Sequence, residues 1–369
     1  MKKIVIIGGG LGGLIASIKL AKSGLLSTVI EKKSYPFHRV CGEYISNETI
    51  PYLNSLDIFP REFAPPSIKR FLLSSVNGKS VSMKLDLGGF GISRYAFDHF
   101  LYEKAKSLGV IFMLNTEVEE VSFFDNVFSI KTQSAFLEAD LVIGSFGKRS
   151  KIDIQLNRKF IQKRSPYVGV KYHLKTLHAD DLIALHNFNQ GYCGMSNIEE
   201  GKTTLCYLTH RDMLRQFKNI REMEENILFK NPLLENVFQN SEFLFDRPET
   251  INEISFETKS PIESHMLMVG DAAGMITPLC GNGMAIAIHA SKLASELVIE
   301  YNNRSLSREE MERRYCILWQ KNFGARLWRG RQIQKLFGNA WASNAAINLA
   351  IHVRPIANII MRSTHGNSF

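Results

Sequence analysis

The stretch Ile4-Val5-Ile6-Ile7-Gly8-Gly9-Gly10-Leu11-Gly12-Gly13 decides the fold. Its four apolar residues are too few for an export signal and end on a GxGxxG loop. Beyond the loop, Leu11, Leu14, Ile15, Ile18 and Ala21 recur at helical spacing up to Gly24, where a helix is expected to stop. Ser27 to Glu31 reads as a second strand, so the opening is a β-α-β unit belonging to a parallel sheet. Within the loop, Gly8 permits the tight turn, Gly10 lets backbone approach a pyrophosphate, and Gly13 lets helix and strand pack closely, with Gly12 completing the motif. Glu31 stands eighteen residues beyond Gly13 at a strand end, where a carboxylate accepts hydrogen bonds from a ribose diol. Its charge disfavours a phosphorylated ribose, which Lys32 softens only slightly, so FAD or NAD is expected here.

A second motif favours FAD: Gly270-Asp271-Ala272-Ala273-Gly274, then Pro278 and Gly281-Asn282-Gly283-Met284 opening a helix. A strand-end Asp271 suits the ribitol hydroxyls of a flavin. A helix N-terminus beyond Gly281 suits the flavin N1 and C2 carbonyl, where negative charge develops on reduction.

With both motifs in place, the chain resembles the FAD-dependent superfamily of aromatic hydroxylases, geranylgeranyl reductases and flavin-dependent halogenases. The resemblance covers nearly everything up to about residue 300. It implies an α/β fold in which an FAD-binding Rossmann-like domain is interrupted by a β-sheet substrate domain and followed by a helical C-terminal tail. Tyr35-Pro36-Phe37-His38-Arg39-Val40-Cys41-Gly42-Glu43 is similar to the reductases' segment running beside the flavin, which makes Arg39 and Cys41 candidate cofactor contacts. Arg94, three residues before Phe97-Asp98, resembles the family's cofactor-contacting arginine.

Two departures matter. In Asp140-Leu141-Val142-Ile143-Gly144-Ser145-Phe146-Gly147, Phe146 replaces the second Asp of a motif implicated in FAD and NADPH binding, so weak direct reduction by NADPH is expected. Tyr192-Cys193-Gly194-Met195-Ser196-Asn197 stands where reductases carry Tyr-x-Trp-x-Phe-Pro and halogenases Trp-x-Trp-x-Ile-Pro. The missing tryptophans disfavour a halogenase, and Lys79 reads as a solvated strand lysine. Tyr192 and Cys193 become the candidate substrate-facing residues.

The coarse organisation follows. Residues 1–72, 94–155 and 257–300 read as the discontinuous FAD-binding domain, 73–93 and 156–256 as the β-rich substrate domain, and 301–369 as the helical tail. Asn77-Gly78 marks a hairpin turn. Five cysteines without paired spacing form neither a disulfide framework nor a zinc site, and they suggest a reducing cytoplasm. No apolar run approaches the roughly 20 residues of a spanning helix.

The net charge of +9 is local: from Arg313 onward there are nine basic residues and no acidic one. Trp319, Phe323, Leu327 and Trp328 interleave there with Lys321, Arg326, Arg329 and Arg331, which fits either a helix pair packed on the nucleotide-binding domain with a solvated basic face or docking to an anionic membrane or an acyl carrier protein. No nucleic-acid motif accompanies the charge.

The leading functional expectation is an FAD-dependent monooxygenase acting on an apolar substrate, whether aromatic, polyketide-like or lipid-like. The alternative is an alkene reductase of the geranylgeranyl type. A halogenase and a non-catalytic flavin binder rank below these. Electrons are expected from a flavin reductase or NAD(P)H.

Overall fold

The computed structural model describes residues 2–275, 281–334, 341, 343–345, 347–348 and 366–369. β1 (Ile4–Ile7) is buried along its whole length, as a strand in a sheet covered on both faces must be. It pairs in parallel with β2 (Ser27–Ile30) on one side and with Leu141–Gly144 on the other. The sheet has six strands in the order Ile262–Glu263, Met266–Met268, Leu141–Gly144, β1, β2, Ile111–Met113. Only the Ile262–Glu263 pairing is antiparallel. Crossing from β1 to β2, α1 (Leu11–Lys22) packs against the helices Gly283–Asn302 and Arg94–Ser107. Gly24 follows α1 with φ of 79°, a left-handed conformation that glycine adopts without steric cost.

The second layer is a nine-stranded, mostly antiparallel sheet. Its central strands are Tyr167–Lys175, Thr203–His210, Gly191–Asn197 and Leu182–Phe188. Leu182–Phe188 then pairs in parallel with Ser67–Ser74, which returns through the expected Asn77-Gly78 turn into Ser80–Gly91. This sheet therefore also takes up residues 67–72, together with Tyr44–Ser46, which the sequence reading grouped with the FAD-binding domain. The reason is hairpin geometry: once Ser80–Gly91 belongs to a sheet, its partner follows in register. A small three-stranded sheet, Val118–Phe124, Val127–Thr132 and Phe136–Ala139, completes the strands.

One face of the large sheet buries Val168, Val170, Tyr172, Cys193, Met195 and Tyr207 under the helices Ile220–Ile227 and Pro232–Asn240. The other face carries Leu73, Val81, Leu185, Tyr192 and Leu208, joined by Met275 from the second motif and Ile347 from the tail.

Part of the tail packs inward, as the helix-pair reading expects. Met311, Tyr315, Trp319, Phe323 and Leu327 lie in the main core. Arg326 is only 5 % exposed and pairs with the buried Glu48 at 2.8 Å. The chain end folds onto the same place, with the Phe369 ring stacked 3.9 Å from His289. Among the described tail residues, those exposed include Arg313, Ile317, Lys321, Trp328 at 58 % and Trp341 at 80 %, with Arg329 and Arg331 half-buried. A core needs apolar side chains whatever the net charge of the helix carrying them. Among the described residues no helix is long and apolar enough to cross a membrane.

Candidate functional site

Gly8 has φ of 100°, and a Cβ there would lie 2.4 Å from the Ser145 carbonyl oxygen. At Gly13 the same atom would lie 2.1 Å from the Gly8 carbonyl oxygen, and at Gly12 it would press on Ser145 and Val269 at 3.2 Å. These three glycines close the turn and pack α1 onto the sheet. Gly10 is different. A Cβ there meets nothing nearer than the guanidinium nitrogens of Arg94 at 3.7 Å and Arg39 at 3.9 Å. Gly10 caps α1 without a side-chain hydrogen bond, and the first turn carries no acidic residue. Open amides, a helix dipole and two cations thus surround one small space, a donor set suited to a pyrophosphate.

Asp98 positions both cations. It accepts from Arg94 Nε at 2.7 Å and Nη2 at 2.6 Å, and from Arg39 Nε at 3.2 Å. Glu31, buried, accepts the Gly9 amide at 2.9 Å and the Lys33 amide at 3.1 Å, with Arg39 at 3.3 Å. The Tyr35 hydroxyl donates to the Gly9 carbonyl, fastening the 35–43 segment to the loop. Lys32 is exposed beside Glu31.

From the far end of the chain, Asp271 reaches the same region. Burial raises its carboxyl above the usual range, against the opposing pull of Lys259, Arg94, Lys148 and Arg39. Lys259 donates to the Asp271 carbonyl at 2.8 Å and to the Lys148 carbonyl at 2.7 Å. Gly281, with φ of 62°, lies against Tyr44, while Asn282 and Met284 are buried at the start of the Gly283–Asn302 helix. Ser291 on that helix donates to the Gly12 carbonyl at 2.7 Å, so the two motifs are joined directly. Pro278 lies outside the described residues, as does Cys280.

Cys41 is half-buried, its Sγ accepting the Glu43 amide at 3.5 Å, and burial pushes its thiol pKa up. Strand alternation divides the substrate-facing candidates. Tyr192 lies on the face with Leu185 and Leu208, whereas Cys193 points into the opposite core beneath the helices. Cys193 thus does not share a face with Tyr192, whereas Gly194 does. In register, Leu185, Gly194, Cys206 and Lys171 form one cross-strand row on the Tyr192 face. Gly194 and Cys206 are half-buried, and a Cβ at Gly194 would meet only the Cys206 carbonyl oxygen, at 3.7 Å.

Sequence reasoning missed Glu43, Lys171 and His173. Glu43 is completely buried and accepts from Lys171 Nζ and from His173 Nε2. The available signal was the spacing of Gly169, Lys171 and His173, which puts polar residues on one face of an otherwise apolar strand.

The FAD-binding domain family matches residues 1–314, and the chain belongs to that family. Its cofactor is FAD. The chain is 26% identical to the digeranylgeranylglycerophospholipid reductase of Methanocaldococcus jannaschii, over 86% of this chain and 82% of that one. Among solved structures, a geranylgeranyl bacteriochlorophyll reductase-like protein from Thermoplasma acidophilum superposes with a TM-score of 0.78 at 18% identity, covering 98% of this chain and 95% of that one. The flavin-dependent halogenase CmlS superposes at 0.76 with 19% identity, covering 90% and 63%. The chain is thus an FAD-dependent oxidoreductase by family, with the interrupted α/β fold of that superfamily.

Proposed function

We propose that the protein reduces isolated carbon–carbon double bonds in an apolar, isoprenoid-like chain. The observation carrying this reading is the sheet face on which Leu73, Val81, Leu185, Tyr192 and Leu208 cluster beside the half-buried Gly194 and Cys206, with the hydroxyl residues Ser196 and Thr204 on the adjoining row. The nearest charges, Glu43 and Lys171, neutralise each other. In this assignment Gly10, the α1 amides, Arg39 and Arg94 hold the pyrophosphate, Glu31 the ribose and Asp271 the ribitol. Gly281, Asn282, Gly283 and Met284 lie at the flavin ring.

Bound in its reduced form by these residues, FAD would supply the hydride that alkene reduction requires at one carbon. The neighbouring carbon takes a proton, and the Cys41 thiol, kept protonated by burial, is the group assigned to donate it. Relatives named as digeranylgeranylglycerophospholipid reductases support this reading over the monooxygenase expected from sequence. The monooxygenase remains the second reading, since the same apolar face would shield an oxygen adduct from water. Phe146, half-buried in the core where an Asp was expected, favours a separate flavin reductase over NADPH as the electron source.

The exposed Trp328 and Trp341, with Lys321, are assigned to an anionic membrane surface that delivers the substrate. The deciding experiment supplies geranylgeraniol to the chemically reduced holoprotein without oxygen. A product heavier by two hydrogens supports the reductase. Absence of product until oxygen is admitted, followed by an oxygenated product, overturns it in favour of the monooxygenase.

A further inference from the structure

We propose that Glu43 is a positioning residue that couples the substrate sheet to the cofactor loop, so that one buried carboxylate sets the Cys41 thiol and Arg94 in register with the Tyr167–Lys175 strand. The inference rests on the site assignment above, and it concerns a residue that the chemistry just described does not use.

The geometry is specific. Glu43 Oε1 accepts the backbone amide of Arg94 at 2.8 Å, at the first turn of the Arg94–Ser107 helix, and also accepts from Lys171 Nζ. Oε2 accepts from His173 Nε2 at 2.7 Å. Lys171 donates in addition to the Arg39 carbonyl at 3.1 Å, and the Glu43 amide donates to Cys41 Sγ at 3.5 Å. The ion pair therefore holds the 39–43 loop at its start, through the Arg39 carbonyl, and at its end, through Glu43, while Cys41 between them is tied to the Glu43 backbone amide. Arg39 and Arg94, the residues lining the space at Gly10, are both bonded to that pair through their backbones. Lys171 and His173 come from the sheet whose same face carries Cys206 and Thr204 opposite them.

Stability alone gives weak grounds for such a pair. Glu43 and Lys171 are both completely buried, and a buried ion pair is commonly replaceable by apolar residues of similar volume at little cost. Glu43 also has φ of 54°, a left-handed conformation that is strained for a non-glycine residue. A strained residue carrying a desolvated charge, whose carboxylate bonds both the Arg94–Ser107 helix and the Tyr167–Lys175 strand, is better explained by registry than by contribution to the core. Displacement of the Tyr167–Lys175 strand by a bound substrate would move the Glu43 carboxylate, and with it the cofactor-side loop.

The test compares wild-type holoprotein with Glu43→Leu/Lys171→Met, read by N-ethylmaleimide labelling of Cys41 mapped by mass spectrometry and by the visible flavin spectrum. The double variant is expected to fold and to keep its FAD. Its Cys41 should label roughly tenfold faster, equivalent to about 1.4 kcal/mol of easier loop opening, with a shifted flavin band. Cys193, in the opposite core, should label at the wild-type rate and serves as internal control. A folded, flavin-loaded double variant with wild-type Cys41 labelling and spectrum overturns the coupling. Should the double variant fail to fold, His173→Phe, which leaves the Glu43–Lys171 pair intact, is expected to accelerate Cys41 labelling by a smaller factor, and an unchanged rate there overturns the proposal. Wild-type holoprotein whose flavin spectrum ignores Cys41 labelling would fault the placement of Cys41 beside the flavin instead.

Discussion

Arg326 is buried against Glu48, its Nη2 2.8 Å from a carboxylate that is itself fully out of solvent. The same carboxylate accepts the Gly366 amide, and the Glu48 carbonyl accepts the Phe369 amide at 3.3 Å. This arginine fastens the tail to the FAD-binding half of the molecule. Removing one member of a buried pair leaves the other charged and desolvated, at a cost of about 3–5 kcal/mol. Arg326→Ala is therefore expected to lower the urea midpoint sharply, whereas Lys321→Ala, on the exposed side of the same tail, should leave it within about 0.5 kcal/mol of wild type. Equal midpoints for the two variants would show that the Arg326–Glu48 pair contributes no stability.

The space at Gly10 leads to a prediction about cofactor retention. A single Cβ has room there, with guanidinium nitrogens at 3.7 and 3.9 Å, but the branches of valine would enter the space assigned to the pyrophosphate. Gly10→Val is expected to purify folded but colourless, and Gly10→Ala to keep part of its flavin. Asp271→Ala should weaken FAD binding by roughly tenfold or more, the value of one hydrogen bond to a charged acceptor. Flavin absorbance relative to protein after gel filtration reads all three variants. Full occupancy in Gly10→Val would move the pyrophosphate elsewhere.

How much of this could be read from the chain depended on the sequence distance between partners. The β-α-β opening, the glycine turn and the Asn77-Gly78 hairpin are local, and they were legible because backbone sterics act between neighbours. The two FAD motifs, far apart in sequence, were legible because each keeps a recognisable pattern of its own. Glu43 was not legible as a hub, since its partners Lys171 and His173 lie 128 and 130 residues away and only folding brings them together. Arg326 was unreadable for the same reason: it looks like part of a basic surface until Glu48, 278 residues earlier, is placed beside it. In Gly191–Asn197 no apolar alternation distinguishes the faces, so Cys193 could be assigned to its face only from the register of neighbouring strands.

The surface left at the tail carries a narrower membrane prediction than the sequence suggested. Trp328 and Trp341 are exposed and Lys321 is solvated, whereas Trp319 and Arg326 are committed to the interior. Lys321→Gln is expected to weaken co-sedimentation with phosphatidylserine-containing vesicles by roughly fivefold, corresponding to about 1 kcal/mol for one basic residue near the surface. Trp328→Ala should weaken it further at high salt, where screening leaves the apolar contribution dominant. Wild-type protein that stays in the supernatant at low salt, but binds acyl carrier protein, would replace the membrane with that partner.

A buried carboxyl on the far face of the large sheet makes stability depend on pH in a defined direction. Burial raises the Glu224 pKa to about 7, despite the hydrogen bonds that Tyr207 donates at 2.8 Å and Tyr172 at 2.9 Å to the same oxygen. An unfolded glutamate titrates at 4.5, so the folded protein holds the extra proton between there and about 7. Stability from this group is fully present below pH 4.5 and is lost as the pH rises through that interval to the folded pKa. The full excursion is on the order of 3 kcal/mol, since each pKa unit corresponds to about 1.36 kcal/mol. Glu224→Gln keeps an oxygen to accept from both tyrosines and removes the titration. The variant is expected to gain stability over wild type at pH 8 and to lose that advantage near pH 5, measured as urea midpoints. Wild-type and variant curves that stay parallel between pH 5 and 8 would show that Glu224 ionises as freely in the folded chain as in the unfolded one.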